Sequence, residues 1–111
     1  MRIAKVFMHK QLAGTLTEDE EGYHFQYDKE YLSSSHPEPV SLTLPIQSES
    51  FYSPVMFPFF DGLIPEGWLL EIAEKSWKLD ARDRMGLLMK TCFDCIGAVS
   101  ILPFEESENY E

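Results

Sequence analysis

Tyr23-His24-Phe25-Gln26-Tyr27 alternates aromatic with polar side chains at every step. Side chains along a strand point to opposite faces in turn, so Tyr23, Phe25 and Tyr27 share one face and His24 and Gln26 the other. Just upstream, Glu18-Asp19-Glu20-Glu21-Gly22 has the polar, glycine-ended composition of a turn. Before that turn, residues 11–17 predict a strand with Leu12, Gly14 and Leu16 on one face. Residues 2–10 predict another, with Ala4, Val6 and Met8 facing one way and Ile3, Phe7 and His9 the other. Three short strands joined by tight turns predict an antiparallel meander.

Downstream the pattern loosens. Residues 28–35 suit a turn or a single helical turn, and residues 33–39 are Ser- and Pro-rich loop. Val40, Leu42, Leu44 and Ile46 alternate with Ser41 and Thr43 and predict a fourth strand. Pro45 places that strand at an edge or at its own end. Residues 47–58 read as loop despite Phe51, Tyr52 and Phe57. A helix is predicted over 65–78, with Pro65 in its first turn and Glu66 near the positive end of its dipole. At about 100° per residue its apolar residues cover an arc of roughly 200°. A surface helix needs about half of that, so this one lies deep in the domain or touches something else as well. Asp80 predicts the N-cap of a second helix, with Asp83 in its first turn and Met85, Leu88, Met89 and Cys92 at helical spacing. Gly97 ends that pattern. Residues 98–102 predict a last strand, stopped by Pro103. The expected class is α+β: a small antiparallel β-meander or partial barrel in the first half, two helices and a returning C-terminal strand. Residues 1–104 form the expected domain, and residues 105–111, four of them glutamate, an acidic mobile tail.

The 111 residues suffice for one domain, and 44% apolar composition suffices for a core. Nine basic against nineteen acidic side chains leave a net charge of −10. That balance opposes nucleic-acid binding, which needs Lys and Arg to neutralise phosphates. It opposes an anionic membrane surface for the same reason. No apolar run approaches the roughly 18 residues of a membrane span. Met1-Arg2-Ile3-Ala4-Lys5 lacks the apolar stretch of a signal peptide, so a cytoplasmic address is expected.

Motifs for chemistry are sparse. Cys92-Phe93-Asp94-Cys95 matches C-x-x-C, but it falls at a helix C-terminus, where the dipole disfavours a thiolate. His9, His24 and His36 are scattered and do not complete a zinc set with it. No nucleophile elbow and no phosphate-binding loop occurs. The expectation is no enzyme activity, no cofactor and no metal.

The strongest signal is Phe59-Phe60-Asp61-Gly62-Leu63-Ile64-Pro65-Glu66-Gly67-Trp68. It offers Phe59, Phe60, Asp61, Leu63, Pro65, Glu66, Trp68 and Leu69 as candidates for a partner-binding surface. Against that stands closure of the domain's own core, which suits Phe59, Phe60, Leu63 and Ile64. Trp68 stands beside Gly67 in the first helical turn, where an aromatic makes a good binding hot spot.

These residues resemble the N-terminal subdomain of the HipA family of kinase toxins over nearly the whole chain. Gly14-Thr15-Leu16, then Phe25-Gln26-Tyr27-Asp28 with Glu30-Tyr31-Leu32, are similar to the family's opening meander. Ser41-Leu42-Thr43-Leu44-Pro45 is similar to its Ser-Leu-x-Leu-Pro segment. Phe59 to Gly67 resembles its Phe-Phe-x-x-Leu-x-Pro-Glu-Gly stretch. Asp94-Cys95-Ile96-Gly97-Ala98-Val99 resembles its Asp-Cys-x-Gly-Ala-Val, which would make Cys95 a core position. Trp68 departs from a pattern that often has a polar residue there. The family's kinase machinery lies beyond this subdomain, so the resemblance implies a chain without it. It further implies a split toxin–antitoxin system, in which this subdomain, a shortened HipA-like Ser/Thr kinase and a helix-turn-helix DNA-binding protein are separate chains. There the small chain would bind and restrain the kinase. The rival is a structural subunit that completes the kinase fold, or bridges it to the DNA-binding protein, without inhibiting it.

Overall fold

The aromatic alternation forms an interior strand, next to one edge, of a five-stranded antiparallel sheet, β4-β3-β2-β1-β5. The strands are β1 (Arg2–Met8), β2 (Gln11–Asp19), β3 (Gly22–Tyr27), β4 (Phe51–Ser53) and β5 (Val99–Pro103). Three helices accompany them among the described residues: α1 (Lys29–Leu32), α2 (Pro58–Asp61) and α3 (Arg84–Thr91). The structure is a computed structural model and describes residues 1–64, 67, 82–91 and 98–103. The expected helix over 65–78, the Asp80 cap, both cysteines and the acidic tail lie outside these residues.

The meander is present, and the last strand returns beside the first as expected, with Val6 opposite Ile101. The sheet stays open, with β4 and β5 at its edges. One row across it carries Ala4, Leu16, Phe25 and Phe51, opposed in register. That face is the core face: Ala4, Leu16 and Phe25 are fully buried. Phe60 from α2 and Met85, Leu87 and Leu88 from α3 are buried in the same cluster. The opposite face carries Ile3, Thr17, His24 and Tyr52 in the neighbouring row.

The hairpins differ in their turns. His9 and Lys10 join β1 to β2 with φ of 53° and 69°. Two successive positive φ angles match the twist of a two-residue hairpin, normally filled by Asn-Gly. Gly22 closes the next hairpin at φ 141°, where an added Cβ would lie 2.4 Å from the Ser53 carbonyl oxygen. Gly14 meets a different demand, since an added Cβ there would lie 2.5 Å from the Gln26 carbonyl oxygen and 2.9 Å from the Phe25 ring. The register of β1 and β2 shifts at Val6/Phe7, so Gly14 faces Val6 while Leu12 pairs with Phe7. The bulge thus turns Leu12 away from the face of Gly14 and Leu16, contrary to the simple alternation.

Two further expectations are corrected. The expected strand through Val40, Leu42, Leu44 and Ile46 is a tight turn with one bridge, Ser41 to Leu44. The Leu44 N–H donates to the Ser41 carbonyl at 3.0 Å, and the Ser41 hydroxyl accepts the Thr43 N–H at 3.2 Å. Ser and Thr hydroxyls offer the backbone this alternative to a ladder. The fourth strand is instead β4, inside the stretch read as loop, and its three residues are too few to show alternation. The second helix begins at Arg84, and Asp83 supplies its cap: Oδ1 accepts the Gly86 N–H at 3.1 Å.

Candidate partner-binding surface

Pro58 sets the first turn of α2, where its missing N–H costs nothing. The helix closes with the Gly62 N–H donating to the Pro58 carbonyl at 2.9 Å and the Leu63 N–H to the Phe60 carbonyl at 3.0 Å. That one turn splits the predicted anchors. Phe60 points inward and is fully buried, its ring 5.4 Å from Phe25 and 6.0 Å from Phe57. Ile64 is buried beside the same core. Phe59 and Leu63 are half-buried and pack on the core's edge, leaving part of each side chain to solvent. The reading as core therefore holds for Phe60 and Ile64, which support the surface from beneath. Pro65, Glu66, Trp68 and Leu69 lie outside the described residues, and Gly67 is exposed.

Asp61 joins α2 to α3 through an ion pair, Oδ1 to Arg84 Nε at 2.5 Å. A second pair stands one residue away. Arg2 donates from Nη2 to Asp83 Oδ1 at 2.6 Å and from Nη1 to Oδ2 at 3.1 Å, while its Nε donates to Glu18 Oε1 at 2.7 Å. This planar, two-toothed match is the strong form of a charge pair. It holds the Asp83 carboxyl below the ordinary carboxylate range and raises the Arg2 guanidinium further. The Tyr23 hydroxyl donates to Glu18 Oε2 at 3.3 Å, and burial, then the Glu18 charge, pushes it upward. Three strands are thereby wired to the start of α3.

Sequence reasoning missed the turn at 40–45 as a surface feature. Leu44 is 3% exposed and Leu42 is 95% exposed, although the two sit two residues apart in one apolar pattern. The signal was present in Ser41-x-Thr43 followed by Pro45, the composition of a turn rather than a strand interior.

The far face of the sheet holds an open concavity of about 370 Å³, lined by Thr15, Thr17, Asp19, His24, Gln26 and Ser50. His24 Nε2 lies 3.0 Å from Asp19 Oδ2, off the alignment of a hydrogen bond, and its ring leans on Tyr52 at 5.2 Å. The Glu21 N–H, with help from His24, holds the Asp19 carboxyl low. No group of three metal-ligating side chains converges among the described residues. Nor is any helix there long and apolar enough to cross a membrane.

Comparison with known proteins identifies the domain. The family model of the HipA N-terminal domain matches residues 4–102. A Haemophilus influenzae protein of unassigned function is 36% identical over 101 residues, covering 91% of this chain and 92% of that one. A candidate kinase of Sinorhizobium fredii, Y4mE, is 29% identical over 112 residues; the match covers all of this chain and 26% of Y4mE. Among solved structures, the N-terminal domain of HipA toxin superimposes with a TM-score of 0.74 at 32% identity, covering 96% of this chain and 95% of that one.

Proposed function

The chain belongs to the HipA N-terminal domain family and is a HipA-related toxin–antitoxin component, and from that premise we propose that it is an antitoxin. In this reading it is a separate, non-enzymatic chain like the HipS protein of split systems. It binds a HipA-like Ser/Thr kinase that lacks this domain and inhibits it through protein–protein contacts in the cytoplasm. A helix-turn-helix DNA-binding protein completes the complex.

One observation carries the reading. The same domain accounts for 26% of a candidate kinase and for 92% of a Haemophilus protein of nearly this size. A domain that packs against a kinase within one polypeptide keeps the complementary surface when encoded apart. The docking segment runs from Phe59 through Asp61, Leu63, Pro65, Glu66 and Trp68 to Leu69, with Trp68 as the hot spot. Truncating a central aromatic anchor costs about 2–4 kcal/mol, roughly 30- to 1,000-fold in affinity. Inhibition is steric, by entering the active-site cleft or by holding the lobes apart. The net charge of −10 speeds association with a basic partner.

Co-expression tests this. Growth arrest by the cognate kinase is relieved by this chain alone if it is an antitoxin. Persistent arrest, with the complex formed, makes it a structural subunit and moves inhibition to the DNA-binding protein.

A further inference from the structure

Tyr27 holds the turn at 40–45 from beneath, and Tyr31 holds Glu38 in the chain leading into it. The Tyr27 hydroxyl accepts the Val40 N–H at 2.9 Å and donates to the Leu44 carbonyl. The Tyr31 hydroxyl accepts the Glu38 N–H at 3.1 Å and donates to the Glu38 carbonyl at 2.6 Å. The two rings lie parallel, 8° apart in plane, with centroids at 6.0 Å. Val40 and Leu44 fill the core on either side of the turn. The Ser41 and Thr43 hydroxyls bond each other at 2.9 Å across its top.

Val40 and Leu44 of this turn are buried, whereas Leu42 takes no part in the core. It stands at the tip with 95% of its surface in water. The fold needs a turn former there, and leucine is a poor one. A large apolar side chain on a preorganised backbone is what a docking knob requires, because little freedom is left to lose on binding.

We propose that Leu42 and its turn form a second docking element, inserting the leucine into an apolar pocket on the body of the HipA-like kinase. The inference rests on the reading that this chain binds that kinase. The occupant is assigned from chain length. In Y4mE this domain is 26% of the polypeptide, so nearly three quarters of that chain lies outside it and is available to cover such a knob. The exposed hydroxyl-bearing flanks, Ser41 and Thr43, supply the polar rim that surrounds an interface core.

Calorimetric titration of the full chain into its cognate HipA-like kinase tests this, using wild type, Leu42→Glu, Leu42→Ala and Trp68→Ala, with thermal melts and sedimentation of each. Leu42→Glu and Leu42→Ala melt with wild type, and Leu42→Glu binds at least about 10-fold more weakly, with Leu42→Ala in between. If both Leu42 variants bind like wild type while Trp68→Ala binds weakly, the second docking element is overturned and the antitoxin reading stands. If wild type does not bind, the reading falls and the inference with it. If wild type sediments as a dimer that Leu42→Glu dissolves while kinase affinity is unchanged, the knob belongs to a second copy and the proposal is overturned.

Discussion

Two short apolar segments, Phe59-Phe60 on α2 and Leu42-x-Leu44 in the turn, resemble the same family's motifs yet sit in opposite ways. On α2 the distinctive aromatic, Phe60, is fully buried against Phe25. In the turn one leucine is buried and the other is almost wholly in water. The difference lies in the backbone between them. α2 is one helical turn, so neighbouring residues diverge by about 100° and one of each pair meets the sheet. The 40–45 turn bends its chain back through the Ser41–Leu44 bond, so Leu44 dives inward while Leu42 crowns the bend. An apolar motif residue is thus buried or exposed according to the local turn chemistry, not according to its hydrophobicity.

Breaking the buried member has the largest effect. Phe60→Ala removes a ring from the centre of the core and costs about 3–5 kcal/mol, seen as a large drop in the urea midpoint. Loosening the floor of the turn comes next. Tyr27→Phe keeps the ring but strands the Val40 N–H and the Leu44 carbonyl, at about 1–3 kcal/mol. Its denaturation midpoint falls while its aromatic packing signal is retained.

A third variant tests the α3 cover over the α2 core through pH. The Arg2 guanidinium holds the Asp83 carboxyl below its ordinary value of 3.8. A depressed carboxylate contributes stability above that value and loses it as pH falls through the folded-state pKa. Asp83→Asn keeps the Gly86 cap and removes the charge, so it destabilises by about 1 kcal/mol at pH 7, the ceiling for a partly exposed pair. The gap between it and wild type narrows as the pH falls below the ordinary carboxylate value and through the lower folded-state pKa. A gap that stays constant with pH refutes the pairing. The smallest effect belongs to Leu42→Ala, whose melting point moves by no more than about 0.5 kcal/mol allows. A Leu42 variant that destabilises like Phe60→Ala erases the contrast between the two segments.

The meander was legible because Tyr23, Phe25 and Tyr27 alternate cleanly and the turns around them carry glycine or charge. The return of β5 was legible from Gly97 and Pro103. What the sequence hid has physical causes. The bulge at Val6/Phe7 inserts a residue without any composition signal, so Leu12 was assigned to the wrong face. The Val40 to Ile46 alternation imitates a strand, yet its ladder bonds are taken by the Tyr27 hydroxyl and by Ser41. β4 is three residues long, too short for a period to appear. Asp83, which caps α3, also meets Arg2, a partner 81 positions away that no local pattern reveals. At the candidate surface, Phe59 and Leu63 are half-buried at the core's edge. Phe60 was offered too and belongs to the floor. Leu42 was read as one tooth of a strand.

Autophosphorylation of the cognate HipA-like kinase, titrated with wild-type chain and with Trp68→Ala, tests the central claim most directly. The account predicts stoichiometric inhibition by wild type and a titration shifted by roughly 30-fold or more for the variant. Undiminished or increased kinase activity in the presence of a fully formed complex would contradict it.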